Sequence, residues 1–282
     1  MTIPLCSGHG PMAAKLGILA GSGELPRLLI ETCQRQGRAF HVLAFQGHAE
    51  PEAVADTPHH WIRLGEAGTA FGLLRAAKVE EVVFAGKINR PRLAELRPDW
   101  RAARFLAHIG GRLLSDNRLL EAILNEFEHE GFAVVGPADV MTSLLARVGA
   151  YGALLPSPEE SKTIALGLAA ARRNGLSDRG QAAVVQDDRV LGLEGPQGTD
   201  SLIGDCASRQ QGGRGAILVK ARKPQQEMRA DPPAIGPGTV NRAAAARFRG
   251  IAIEAGGVLV LDAAAVAAAA DSTGLFVVGI HA

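Results

Sequence analysis

The stretch Lys15-Leu-Gly-Ile-Leu-Ala-Gly-Ser-Gly-Glu-Leu-Pro26 decides the fold class. Lys15 to Ala20 is a short apolar run suited to a buried strand, Gly21 to Pro26 is a tight turn, and Leu28, Leu29, Ile30 and Cys33 recur with helical spacing. Pro26 suits the first turn of that helix, where a missing N–H costs nothing. A second strand is expected at His41-Val-Leu-Ala-Phe45, and a third apolar run, Glu81-Val-Val-Phe-Ala85, stops at Gly86. Strands alternating with helices predict a parallel sheet with helices on its faces, hence an α/β fold.

Further along, Leu113 to Glu130 has the apolar periodicity of an amphipathic helix ending at Gly131, and Phe132 to Val135 reads as a strand. Residues 149–158 hold Gly149, Gly152, Pro156 and Pro158 without periodicity, which predicts a linker between an N-terminal domain, 15–148, and a C-terminal α/β domain, 159–282. In the second domain a helix is expected from Glu159 to Asn174, closed by Gly175. Strands are expected at Ala182–Gln186, Val190–Leu193, Ala216–Val219, Gly257–Leu261 and Leu275–Gly279.

Composition narrows the function classes. The 282 residues include 34 glycines and carry a formal net charge of +1, which lacks the electrostatic footprint of a general nucleic-acid binder. Cys6, Cys33 and Cys206 are odd in number and have no CxxC spacing, so neither a disulfide framework nor a zinc site is expected, and a reducing cytoplasm fits. No apolar run approaches the length of about 18 residues that a membrane span needs. Residues 1–14 are expected to be a disordered extension with Met12 as the natural start.

Four places carry candidate chemistry. Gly21-Ser-Gly23 resembles a dinucleotide fingerprint over three residues, but Pro26 replaces its third glycine, so phosphate binding at the helix start and a plain structural turn are both open. His59-His60 and His129 lack metal-ligand spacing and read as surface residues, and neither a P-loop nor a GxSxG elbow is present. The segment Lys220-Ala-Arg-Lys-Pro-Gln-Gln-Glu-Met-Arg-Ala-Asp231 follows a buried strand, and the prolines at 224, 232, 233 and 237 forbid a helix. If it is extended, Lys223, Gln225, Glu227, Arg229 and Asp231 share one face. Carboxylates and cations together at a strand's carboxyl end suit a metal–phosphate site, and a solvated loop would read similarly. The turn Glu194-Gly-Pro-Gln-Gly-Thr-Asp200 offers amides, a hydroxyl and a carboxylate, or else an N-cap from Thr199 or Asp200. Ser115-Asp116-Asn117, at the start of the long helix, is a third acidic spot.

In this order the residues resemble the UDP-2,3-diacylglucosamine diphosphatase family of the LpxI type. The resemblance spans Lys15 to Ile280. It rests on Gly17-Ile-Leu-Ala-Gly-Ser-Gly-Glu-Leu-Pro26, Phe84-Ala-Gly-Lys-Ile-Asn-Arg-Pro91, Glu126-Phe-Glu-His-Glu-Gly-Phe132, Ile253-Glu-Ala-Gly256 and Gly274-Leu-Phe-Val-Val-Gly279. Its most specific part is Lys223-Pro-x-Gln-Glu-x-Arg-x-Asp231-x-Pro-x-Ile-Gly-Pro-x-Thr-Val240. The resemblance implies a Rossmann-like N-terminal domain, a distinct C-terminal domain, lipid substrate bound between them, and a cytoplasmic enzyme of lipid A biosynthesis. Such an enzyme splits UDP-2,3-diacylglucosamine into UMP and 2,3-diacylglucosamine 1-phosphate with a divalent metal, by attack at the β-phosphorus. The family's essential aspartate maps onto Asp231. Where the family has Gly-Asp-Asp and Glu-Gly-Thr-Asp, this chain has Ser115-Asp116-Asn117 and Gln197-Gly198-Thr199-Asp200, one carboxylate fewer in each.

The resulting expectation places Mg²⁺ on Asp231 and Asp200 and lets Asp231 orient or deprotonate the attacking water. Lys223 and Arg229 clamp phosphate, Gly198 and Thr199 donate to it, and Gln226, Glu227, Gly21, Gly23 and Asp116 complete the substrate-binding set. The expected partner is the lipid-linked UDP-sugar, with transient contact at the inner membrane surface and no nucleic acid. A homodimer is compatible with the sequence. Alternative readings are a nucleotide-dependent oxidoreductase built on Gly21 and Gly23, and a non-catalytic nucleotide-sugar sensor.

Overall fold

The computed structural model describes residues 13–88, 98–109 and 116–281, the side chains of 106, 108, 109, 116 and 117 excepted. The expectations for residues 1–12 and for the helical residues 113–115 lie outside it. The chain divides into two compact units, Met1–Val140 and Met141–Ala282.

In the first unit the elements run β1 (Leu16–Ala20), α1 (Glu24–Gln36), β2 (Phe40–Phe45), α2 (Pro51–Val54), β3 (His59–Ile62), α3 (Ala67–Ala76) and β4 (Glu81–Ala85). They continue with α4 (Trp100–Ile109), α5 (Asp116–His129), β5 (Ala133–Val135) and α6 (Pro137–Val140). Among the described residues five strands form one sheet in the order β3-β2-β1-β4-β5, every pairing parallel. That is the order of a doubly wound sheet, in which the chain reverses direction beside β1. The expected parallel sheet is present. Leu16, Ile18 and Leu19 of β1 and Leu43 of β2 are buried with Leu29 of α1 and Leu74 of α3.

The second unit continues with β6 (Gly149–Ala150), α7 (Pro158–Leu176), β7 (Ala182–Gln186), β8 (Arg189–Leu193), α8 (Gly198–Ala207), β9 (Ile217–Lys220), β10 (Ala234–Ile235) and α9 (Pro237–Ala245). It ends with β11 (Gly250–Glu254), β12 (Leu259–Val260), α10 (Ala263–Thr273) and β13 (Phe276–Ile280). Its main sheet, ordered β6-β13-β11-β9-β7-β8, is mixed: β13, β11 and β9 are parallel, while β6, β7 and β8 pair antiparallel. Alternation along the strands fills both faces. Ile217, Val219, Ala252, Phe276 and Val278 pack with Ile164 of α7. Leu218, Ile251, Ile253 and Val277 face the cluster holding Ile203 of α8, Val240 of α9 and Val266 of α10.

Three expectations need correction here. Residues 149–158 are not a linker: Gly149 and Ala150 pair with β13, and the Tyr151 amide donates to Val277 O at 2.9 Å, so backbone pairing holds this glycine- and proline-rich stretch in the second unit. The helix expected from Glu159 is present as α7, but it runs past Gly175 to Leu176, with Asn174 and Gly175 buried. Gly257–Leu261 supplies only β12, which pairs with β10; the central strand is β11, whose five residues are all buried.

Candidate active site

Strands β9 and β11 run parallel and end together at Lys220 and Glu254, since Ile253 lies opposite Lys220. In open α/β sheets the crevice beyond such carboxyl ends is where ligands bind. Both terminal residues are buried and charged, Lys220 6% and Glu254 5% exposed, and both are tied down. Glu254 accepts from Arg172 Nη2 at 3.2 Å and from the Arg222 amide at 2.9 Å. Lys220 Nζ donates to Thr199 Oγ1 at 2.9 Å and to Ala234 O at 3.0 Å. Thr199 in turn donates its hydroxyl proton to Glu194 Oε1, and Glu194 Oε2 accepts from the Gln181 amide at 2.7 Å.

The two loops singled out in the sequence therefore meet at Lys220. One runs from Ala221 to Pro233; the other ends at the start of α8. A hydroxyl has a single proton to give. That of Thr199 goes to Glu194, so Thr199 does not serve as the expected phosphate donor, and donation there falls to backbone amides. Helix α8 starts at Gly198, φ +82°, with no side chain capping its first turn. Neither Thr199 nor Asp200 is an N-cap. The Gly198 amide donates to Gly195 O at 3.0 Å, which leaves the amides that follow it in the first turn, with their partial positive charge, to suit an anion. Asp200 lies in that turn, half exposed, its carboxylate 3.2 Å from Arg242 Nε of α9.

The loop 221–233 is not the extended ribbon expected. The Gln226 amide donates to Lys223 O at 3.1 Å and the Asp231 amide to Glu227 O at 3.0 Å, so the chain turns twice and the alternation of side chains is lost. Lys223 Nζ sits 2.9 Å from Asp178 Oδ1, beyond the end of α7. Arg229 folds back on Glu227, with Nε 3.0 Å from Oε1 and Nη2 2.9 Å from Oε2. Those bonds, chiefly the guanidinium's, hold the Glu227 carboxyl below the usual carboxylate range. Both expected phosphate clamps thus already engage a carboxylate that an incoming phosphate would share or displace. Gln226 Nε2 donates to Asp231 O, while its Oε1 is buried without a partner. Asp231 is exposed.

The turn after β1 offers less to a ligand. Gly21 and Gly86 approach so closely that a Cβ on Gly21 would lie 2.5 Å from Lys87 O, and one on Gly86 2.4 Å from Ser22 O. The Ser22 and Lys87 amides exchange hydrogen bonds of 2.9 Å with each other's carbonyls. The Gly23 amide, at the head of α1, donates to Glu50 Oε1 at 3.3 Å. Backbone pairing explains Gly21 and Gly86, and a carboxylate already occupies the amide that a dinucleotide phosphate would use. Asp116 heads α5, and its side chain lies outside the described residues.

Sequence reading passed over Lys220, Glu194, Asp178 and Glu254 as site residues. A charged residue ending an apolar strand, as in Ile217-Leu-Val-Lys220, was the available signal for two of them. As for a metal, no group of three or more His, Cys, Asp or Glu side chains among the described residues is placed to hold one. Mg²⁺ keeps several waters and commonly takes one or two carboxylates plus substrate phosphate oxygens. Asp231 and Asp200 are exposed carboxylates of the kind that mode uses, Asp200 being paired with Arg242.

Residues 15–144 match the LpxI N-terminal domain family and residues 147–278 the LpxI C-terminal domain family. The chain is 41% identical over 273 residues to UDP-2,3-diacylglucosamine pyrophosphatase LpxI of Caulobacter vibrioides, covering 94% of this chain and 97% of the relative. N5-carboxyaminoimidazole synthase from Aspergillus clavatus, solved with ADP and 5-aminoimidazole ribonucleotide, superposes with a TM-score of 0.26 at 14% identity. That superposition covers 71% of this chain and 45% of the other.

Proposed function

Because the chain belongs to the LpxI family, we propose that it hydrolyses the pyrophosphate of UDP-2,3-diacylglucosamine, releasing UMP and 2,3-diacylglucosamine 1-phosphate for lipid A biosynthesis. The observation that carries this reading in the molecule is the convergence on Lys220 of the uncapped start of α8 and the loop bearing Lys223, Arg229 and Asp231. On this reading the amides and cations there would face the charge of a pyrophosphate, with Asp231 as the carboxylate beside them.

In the reaction, water oxygen bonds to the β-phosphorus, the anhydride P–O bond breaks, and the bridging oxygen leaves with UMP. Asp231 orients that water and takes its proton. Lys223 and Arg229 exchange part of their bonding to Asp178 and Glu227 for phosphate oxygens, and the Thr199 amide, joined by that of Gly198 when it leaves Gly195 O, binds a non-bridging oxygen. A divalent metal such as Mg²⁺, held by Asp231 and Asp200, would supply charge neutralisation at the phosphates. Gln226 holds the end of the loop through Asp231.

Among the described residues no helix is long and apolar enough to cross a membrane. Action in the cytoplasm, with transient contact at the inner membrane face, belongs to the same proposal. Trp100, 67% exposed at the head of α4, offers an indole of the kind that settles at headgroup depth.

Incubating the purified protein with UDP-2,3-diacylglucosamine should release UMP with Mg²⁺ present and lose that release in EDTA. Binding of the lipid nucleotide without UMP would mark a sensor, and metal-independent release would remove the metal from the account.

A further inference from the structure

We propose that Lys220, Thr199 and Glu194 act as one positioning unit for the hydrolysis, holding the start of α8 and the loop 221–233 in the mutual placement that turnover requires. This inference rests on the hydrolase reading above.

An ammonium group that is nearly all buried is stable only if hydrogen bonds replace its water. Those of Lys220 go to two different elements. Ala234 is where the loop 221–233 re-enters a strand, so the bond to its carbonyl joins the two ends of that loop across its base. The bond to Thr199 fastens the same ammonium to the first turn of α8. The hydroxyl of Thr199 accepts from Lys220 and spends its one proton on Glu194, which gives the chain a single direction from cation to carboxylate. Glu194 is itself immobile. It is 6% exposed, its Oε2 takes the Gln181 amide, and its carbonyl takes Asn174 Nδ2 of α7 at 2.8 Å.

One hydroxyl thus links the base of the loop that bears Asp231, Lys223 and Arg229 to the start of α8. Thr199 has no proton left for phosphate, so it acts through its neighbours. Substitution there should change how well the reacting groups are aligned and leave alone how strongly the distant parts of the substrate bind. Misalignment of reacting groups by about 1 Å costs on the order of 10²-fold in rate.

The test is steady-state UMP release by the full chain with Thr199→Val, Thr199→Ser, Lys220→Met and Glu194→Gln. Thr199→Val should keep its fold and its KM while kcat falls by about 10²-fold. Thr199→Ser, which keeps the hydroxyl, should restore most of that loss. Adding Glu194→Gln to Thr199→Val should cost little more, because both break the same link. A Thr199→Val enzyme with wild-type kcat, or a serine variant as slow as the valine one, overturns the positioning role. If Lys220→Met does not fold, the valine and serine pair still decides. A wild-type protein that releases no UMP overturns the hydrolase reading and the positioning role with it.

Discussion

His41 and Lys220 are both buried polar residues on strands, and the protein accommodates them in different ways. Lys220 donates to two oxygens. His41 is 7% exposed and has Nε2 only 2.9 Å from His60 Nδ1, so one ring must donate and the other accept. Burial, then the neighbouring His60, Lys15 and His59, pushes the His41 pKa below its ordinary value of 6.5. The sign follows from linkage: the folded chain resists a proton that the unfolded chain takes up. The stability of the neutral ring is full above about pH 6.5 and is lost progressively as pH falls toward the lower folded value. Denaturant midpoints should therefore drop less steeply between pH 7 and pH 5 in His41→Gln than in wild type; equal slopes would contradict the assignment. The sequence reading of His59-His60 as surface residues describes the exposed His60, but its contact with a residue on the neighbouring strand depends on register, which spacing alone does not give.

Helix α7 shows how local chemistry positions the site from a distance. Its amino end is a capping box: the Glu160 amide donates to Ser157 Oγ at 3.2 Å, the Ser157 amide donates to Glu160 Oε2 at 2.6 Å, and Pro158 occupies the first turn. Burial raises the Glu160 pKa, but the Ser157 amide and Arg249, at 2.7 Å, outweigh it and keep the carboxyl below its usual range. The other end of the helix carries Asn174 and Gly175, which anchor Glu194 O and Gln225 Nε2. Ser157→Ala should cost about 1 kcal/mol. For a unit of this size that lowers the melting temperature by roughly 2–4 °C. Turnover should be unchanged, since Ser157 lies at the opposite end of α7; circular dichroism melts together with UMP assays check both. The helix itself was legible over Glu159 to Asn174, but its Ser157-Pro158 start fell in the stretch read as a linker. Strand β11 was not, because a short buried run such as Gly250-Ile-Ala-Ile-Glu254 looks no different by pattern from Gly257 to Leu261.

Across the whole chain the sequence shows the α/β class and the parallel sheet of the first unit, because strands that alternate with helices are distinctive, and the two LpxI domain matches agree with that reading. It does not show where the second unit begins, since the pairing of Gly149 and Ala150 with β13 links residues far apart in sequence. It singled out the two loops that meet at Lys220 but misjudged their internal geometry. Prolines exclude a helix without choosing between a ribbon and successive turns, and only the folded chain pairs Lys223 with Asp178 and ties Thr199 to Glu194. On the proposed reading, those ion pairs, Lys223 with Asp178 and Arg229 with Glu227, hold the cations ready for a pyrophosphate whose oxygens would replace the carboxylates. The central claim is that Asp231 serves pyrophosphate hydrolysis at this place, and the direct measurement is UMP release from UDP-2,3-diacylglucosamine by Asp231→Ala beside wild type. The account predicts a folded variant, with unchanged circular dichroism, whose turnover has fallen by about 10²-fold or more. An Asp231→Ala protein that releases UMP at the wild-type rate would contradict it.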